Sequence, residues 1–254
     1  MADIEVKHRG AITWVFLNRP EALNALTPDM HYALQDVFDA YAKDDKQRIC
    51  VITGAGEKAF CAGSDLKAFG GSYPPDGYAG LIERFDLTKP VIAAVNGFAL
   101  GGGFEIALAS DIVIATENAR FGLPEPLIGA VALGGGIHRL VREVGNKQAM
   151  GLLLTGRQID AEESYRLGLV NEIVPAEELE QAVNRWCEEI LRCAPLSIDA
   201  TKQCVTLGLA EPSLEAAMKN QNKYPAFARW ESSEDWEEGR KAFAEKRSAK
   251  WRGR

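Results

Sequence analysis

Histidine is scarce in this chain: His8, His31 and His138 are its three, far apart and without ligand spacing. A His-built metal site or a His-dependent triad is thereby disfavoured, and acid/base work falls to carboxylates. The five cysteines (Cys50, Cys61, Cys187, Cys193, Cys204) are odd in number and contain no C-x-x-C pair, so they read as reduced core residues of a cytosolic protein. Nucleotide-binding signatures are missing too. Gly97-x-x-x-Gly101-Gly-Gly lacks G-x-G-x-x-G spacing, and Gly54-Ala-Gly-Glu-Lys-Ala lacks the G-K-[ST] ending of a P-loop. Gly63-Ser64-Asp65 is not a nucleophile elbow. The nearly uncharged run from Pro90 to Ser110 is broken by Asn96, four glycines and Glu105, which argues for a buried strand passing into a buried helix over a membrane span. The start, Met-Ala-Asp-Ile-Glu, has neither the basic nor the apolar region of a secretory signal, and a cytoplasmic location is expected.

Positive charge is in deficit as well, with 29 Lys and Arg against 36 Asp and Glu and a formal net charge of −7. Nucleic acid and anionic membranes, which draw on clustered Lys and Arg, are poor partners for such a chain. The deficit is uneven. Residues 239–254 hold seven Lys or Arg and one Glu, a net of +6, which leaves −13 on residues 1–238.

What is present is an alternation of strand and helix patterns. Residues 4–17 alternate apolar and polar side chains on either side of Arg9-Gly10, the pattern of a β-hairpin. Thr27 as N-cap and Pro28 at the first helical position open an amphipathic helix over residues 28–43. Residues 49–53, 90–95 and 111–115 read as buried strands, with a helix over 101–109 between the last two, so the fold class is α/β. Residues 54–63 read as a glycine-punctuated loop and 70–77 as a mobile surface segment able to gate a pocket. After Gly136 the spacing is helical, except for a strand at 169–174 behind a helix over 161–167.

Two carboxylates stand out. Glu105 is the sole charge between Pro90 and Ser110, on the first turn of an apolar helix, where burial raises its pKa toward the range of proton transfer. A helix N-terminus also favours a carboxylate without any catalytic role. Glu125 lies between Pro124 and Pro126 in Phe121-Gly-Leu-Pro-Glu-Pro-Leu-Ile-Gly129, again the only charge among apolar neighbours. Such a pair suits a general acid and a general base that hold a water between them. Gly101-Gly-Gly103, where strand gives way to helix, offers free backbone N–H groups to an anion or oxyanion. Glycosidases also use two carboxylates, but no aromatic sugar platform accompanies either Glu.

Six segments carry a resemblance: Ile52 to Lys67, Lys89 to Glu105, Phe121 to Gly129, Leu154-Thr-Gly-Arg157, Gly168-Leu-Val-Asn171 and Ala242-Phe-Ala-Glu-Lys-Arg247. In order and across nearly the whole chain, they resemble the crotonase superfamily of enoyl-CoA hydratases and isomerases. The Lys89 to Asp111 stretch and the C-terminal ending look most like its branch of carnitinyl-CoA dehydratases. The resemblance implies a crotonase-like spiral of β-β-α units over residues 1–195, carrying the active site. It implies a helical C-terminal region over 196–254 for trimerisation and cover of the CoA site, giving a homotrimer or a dimer of trimers. It further implies reversible water addition to the 2,3-double bond of an enoyl-CoA, with Glu105 and Glu125 as the acid/base pair. The oxyanion hole would be the backbone N–H groups of Ser64 and Gly102. The CoA contacts would be Ala22, Lys58, Ala62, Lys67, Phe227 and Lys246, the basic tail lying near the CoA end of the site. No metal or resident cofactor is implied; coenzyme A comes with the substrate. Glu21 and Ala132-Leu133 depart from the pattern of relatives near the phosphates and the acyl pocket. The alternatives are a Δ3,Δ2-enoyl-CoA isomerase and a non-catalytic CoA-thioester or RNA binding member of the fold.

Overall fold

The computed structural model describes residues 2–68 and 70–254. Period-two alternation at the start makes an antiparallel hairpin of β1 (Ile4–Arg9) and β2 (Ile12–Leu17), with Gly10 at φ 62° opening the turn. The central strands that follow are predominantly apolar, as strands covered on both faces are. β3 (Ile49–Gly54), β5 (Val91–Val95), β7 (Ile112–Thr116) and β10 (Glu172–Val174) add in parallel to β2, giving a six-stranded sheet in the order β1-β2-β3-β5-β7-β10.

A second sheet explains the spiral. β3, β5 and β7 each turn sharply into a three-residue strand, namely β4 (Ala59–Cys61), β6 (Phe98–Leu100) and β8 (Arg120–Gly122). These pair in parallel with one another, and β9 (Ile159–Asp160) closes the edge antiparallel to β8. The loop expected over 54–63 therefore contains β4, a strand too short to show a period. Asn96 fastens one such corner: its Oδ1 accepts from Gly54 N at 3.2 Å and its Nδ2 donates to Gly54 O at 2.9 Å.

Helix α1 (Pro28–Lys43) is capped by Thr27, whose hydroxyl accepts from Met30 N, and buries Met30, Leu34, Phe38 and Tyr41. Opposite it, α6 (Leu179–Leu191) packs Ala182, Val183 and Cys187 against Trp14, Val51, Ile92 and Ile114. Between these lie α2 (Gly102–Ala109), α3 (Gly136–Val144), α4 (Asn146–Thr155) and α5 (Ala161–Arg166). Cys50, Cys61 and Cys187 are buried, and burial pushes the thiols of Cys61 and Cys187 up to about 12. Cys193 and Cys204 correct the sequence reading, since the first is exposed and the second half-buried on C-terminal elements.

The C-terminal helices are α7 (Pro195–Gly208), α8 (Leu214–Asn220), α9 (Pro225–Glu231) and α10 (Glu234–Ala244). They dock where β5 and β7 begin: Lys202 Nζ donates to Lys89 O at 2.8 Å and to Asp111 Oδ2 at 2.7 Å. The basic tail folds back on α10. Arg247 pairs with Glu238 and Arg252 with Glu234, while Asp235 accepts from the backbone N–H groups of Arg252 and Gly253. Much of the +6 is thus neutralised locally by acidic residues of α10. Among the described residues no helix is long and apolar enough to cross a membrane.

Candidate active site

The site forms where β4 and β6 end. Arg19 Nη1 donates to Asp65 Oδ2 at 2.9 Å, an ion pair that holds the Asp65 carboxyl below its usual range. Leu26 bridges the same loop, its N–H donating to Gly63 O and its carbonyl accepting from Asp65 N, both at 2.8 Å. That pairing uses the residues flanking Ser64 and leaves the Ser64 N–H out of it. Gly102, the first residue of α2, has an N–H with no intrahelical acceptor.

Glycine brings these two amides together. At Gly63, φ 93°, a Cβ would lie 3.0 Å from Leu100 O and 3.3 Å from Gly102 N. At Gly103 it would lie 2.0 Å from Cys61 O, an approach no side chain permits. The helix dipole of α2 then points its positive end at whatever sits between Ser64 and Gly102.

Glu105, on the first turn of α2, is 4% exposed. Its Oε1 accepts from Gly136 N at 2.9 Å, and its Oε2 lies 2.2 Å from where a Cβ of Gly134 would be. Burial is the largest influence on it and, with the charge of Glu125, raises its pKa to about 7 against the pull of the Gly136 and Gly134 amides. Glu125 opens the 3-10 turn Glu125–Ile128, half-buried, with its own pKa raised by burial. Its Oε1 is 3.0 Å from the Cβ position of Gly101, and its buried Oε2 has no hydrogen-bond partner among the described residues. Glu125 thus reaches the Gly101 corner, Glu105 is held at Gly134 and Gly136, and the two are near enough for the charge of Glu125 to act on Glu105. Of the apolar neighbours of Glu125 in sequence, Leu123 is buried, whereas Leu127 and Ile128 are exposed at the surface.

The raised pKa of Glu105 has a stability consequence. Its folded-state value lies above the ordinary 4.5, so folding favours the protonated form, and the associated stability is lost as pH rises from about 4.5 through about 7. Glu105→Gln removes this penalty while keeping an oxygen for Gly136 N. The variant should gain Tm over the parent by more at pH 8 than at pH 5; an equal or smaller gain at pH 8 would show that the carboxylate is not paying for its burial.

Of the expected CoA contacts, Ala22, Ala62 and Lys67 lie around Ser64: Ala62 N donates to Leu23 O at 3.0 Å, and Lys67 N to Asp65 Oδ1 at 3.0 Å. Lys58 sits one corner away, its carbonyl accepting from Phe98 N at 3.0 Å, and the side chains of Lys58 and Lys67 are exposed. Phe227, on α9, packs on Trp230 with ring centroids 5.2 Å apart, and Lys246 follows α10 at φ 53°. These two belong to the helices docked at the opposite ends of β5 and β7, and within one chain they are not brought to Ser64. Glu21 is exposed, Ala132 is buried and Leu133 is 81% exposed.

Two features escaped the sequence reading. Gly134-Gly-Gly136 cradles Glu105 at the start of α3, mirroring Gly101-Gly-Gly103 at the start of α2, and that repetition was the available signal. Tyr78 is the other. Its ring lies where a Cβ of Gly102 would fall, at 2.2 Å from the Cζ atom, and its hydroxyl is 3.5 Å from Ser64 Oγ. His31 Nδ1 accepts from Ala79 N at 3.0 Å and so fixes the turn that delivers Tyr78. The segment 70–77, expected to be mobile, is tied to α1, with Tyr32 and Ser72 hydroxyls 2.8 Å apart and Asp76 N donating to Gln35 Oε1 at 3.1 Å.

Comparison with known proteins bears on this geometry. Residues 7–254 match the family described as enoyl-CoA hydratase/isomerase. The chain is 42% identical to a carnitinyl-CoA dehydratase of Proteus mirabilis and 40% identical to one of Salmonella typhi, each over 99% of both chains. Crystal structures of enoyl-CoA hydratases from Mycobacterium tuberculosis and Mycobacterium marinum superpose with TM-scores of 0.92 and 0.93 at 37% identity, over 99% of both chains. Fold and sequence agree: the chain belongs to the enoyl-CoA hydratase/isomerase family, with the crotonase fold, and is a hydro-lyase of that family.

Proposed function

We propose that the chain adds water reversibly across the 2,3-double bond of a 2-enoyl-CoA through Glu105 and Glu125. The observation that carries this reading is a pair of carboxylates of raised pKa, the charge of Glu125 acting on Glu105, with Glu125 at the corner where Gly63 packs against the Gly102 amide. The thioester oxygen binds between the N–H groups of Ser64 and Gly102, and these preorganised dipoles draw electrons from the conjugated system. Glu105, in its ionised form, takes a proton from water as its oxygen attacks C3. The resulting enolate is held by the two amides until the Glu125 carboxyl delivers a proton to C2. Glu105 ends protonated and Glu125 ionised, and exchange with solvent resets both. A base with pKa of about 7 suits this role, because a substantial fraction is ionised near neutral pH and that fraction is still basic. Acid, base and charge stabilisation all come from the chain, so the reaction asks for no resident metal or cofactor.

The acyl group we favour is the carnitinyl/crotonobetainyl pair, supported by the names of the relatives at 40–42% identity. Ala22, Lys58, Ala62 and Lys67 receive the CoA moiety, and Phe227 and Lys246 reach the site of a neighbouring subunit. That arrangement requires a homotrimer or a dimer of trimers. It is supported by exposed Val205, Leu209, Leu214 and Met218, which leave a groove of about 850 Å³ along α7 and α8 without cover in the single chain. Five free thiols suit a reducing, cytoplasmic location. Initial rates with crotonobetainyl-CoA, crotonyl-CoA, a medium-chain 2-enoyl-CoA and a 3-enoyl-CoA test the reading. Loss of the conjugated absorbance from the 2-enoyl esters supports it, and preferential conversion of the 3-enoyl ester to the conjugated isomer would overturn it.

A further inference from the structure

Three aromatic rings meet beside the oxyanion corner. His31 on α1, Tyr73 on the 70–77 strap and Tyr78 at the start of the 3-10 turn Tyr78–Gly80 have centroid separations of 4.4 Å (His31–Tyr78), 5.1 Å (His31–Tyr73) and 5.7 Å (Tyr73–Tyr78). Their planes cross at 60°, 84° and 58°, so the three rings are walls of a corner and not a stack. Tyr78 and His31 are buried and Tyr73 is 51% exposed, which puts the corner's floor at Gly102 and its mouth at the surface.

We propose that Tyr73 and Tyr78, backed by His31, form a recess for a quaternary ammonium at C4 of the acyl chain. The proposal rests on the hydratase reading of the adjoining site. Aromatic faces attract cations whose centre comes within about 6 Å of the ring, most strongly when both are desolvated. An ammonium at C4 lies four bonds from the thioester carbon, about 5 Å in extended form. Tyr78 already overlies Gly102, so a thioester held at Gly102 delivers such a cation to these rings.

The surrounding charges permit it. Burial pushes the His31 imidazole down to about 4, so it faces the cation as a neutral ring at physiological pH. Arg84 is committed to Asp39 and Asp86. Arg139 donates to Ile82 O at 2.6 Å and faces Glu83, Glu105 and Glu143. Glu83 Oε1 lies 2.9 Å from the Cβ position of Gly77, next to Tyr78, and adds negative potential. The rings now touch one another, so entry of the head group requires Tyr73 to back away. Gly70 and Gly71, at φ 140° and 100°, precede it where almost nothing lies within 4 Å of a Cβ position, so the backbone can rotate there.

The test is a charge-isostere pair: crotonobetainyl-CoA against 5,5-dimethylhex-2-enoyl-CoA, in which carbon replaces the quaternary nitrogen. The intact enzyme should favour the cation by about tenfold or more in kcat/KM. Tyr73→Leu and Tyr78→Leu should each cut that ratio by roughly fivefold, while Tyr73→Phe and Tyr78→Phe, which keep the ring, retain it. A parent ratio at or below one, or Leu variants with the parent ratio, would overturn the recess. Tyr73, on the surface, serves should the Tyr78 variants fail to fold. Calorimetry with the saturated pair, γ-butyrobetainyl-CoA and 5,5-dimethylhexanoyl-CoA, reads the same preference without turnover. If no enoyl ester is hydrated, the hydratase reading falls, and the calorimetric ratio still decides the recess.

Discussion

Glu105→Gln and Glu125→Gln are each expected to lower kcat for hydration of a short 2-enoyl-CoA by about 10² to 10⁴, the usual worth of a positioned acid or base. The amide keeps the shape and the hydrogen bond from Gly136 N, so the loss isolates proton transfer from packing. KM should move much less, because neither carboxylate is needed to hold the CoA moiety. The two defects should also fail to multiply: with one proton-transfer partner gone, removing the second costs less than it does in the parent. In the parent, kcat should fall as pH drops below about 7, where Glu105 takes up its proton. Steady-state rates across pH 5 to 9 for both variants and the parent supply the measurement. Near-parental kcat in either variant would remove that carboxylate from the chemistry.

A comparable loss, with no chemical group removed, is expected from Gly134→Ala. The new methyl would fall 2.2 Å from Glu105 Oε2, and the carboxylate must give way. Displacement of a catalytic group by about 1 Å can cost roughly 10²-fold in rate. Gly151, with nothing within 4 Å of its Cβ position, is the natural control: Gly151→Ala lies in α4 and should leave kcat unchanged while stabilising the helix by up to about 1 kcal/mol. Equal activity of Gly134→Ala and the parent would show that the glycine cradle does not position Glu105.

The long elements were legible because burial writes a period into them. The hairpin, α1 with its Thr27 cap, and the apolar runs of β3, β5 and β7 all stand where alternation and spacing placed them. The second sheet was not legible, since three residues cannot display a period and strands β4, β6 and β8 owe their existence to pairing with one another. Yet this sheet brings Ser64, Gly102 and the two glutamates together. Glu105 could be picked out as a lone charge in an apolar run, because isolation in sequence and desolvation in space coincide on a buried helix. Glu125 drew notice for the same reason, but of its flanking leucines Leu123 is buried and Leu127 exposed: apolar neighbours in a turn need not be buried neighbours. Tyr78 left no trace, because its place over Gly102 depends on a left-handed Ala79, φ 57°, held by His31 from another element.

Water addition itself is read most directly by running the reaction in heavy-oxygen water and analysing the product by mass spectrometry. Hydration through Glu105 and Glu125 predicts one heavy oxygen on C3 of a 3-hydroxyacyl-CoA, formed at the rate at which the conjugated absorbance disappears and lost in both Gln variants. A product without the label, or label appearing instead in the carboxyl of a released free acid, would contradict it.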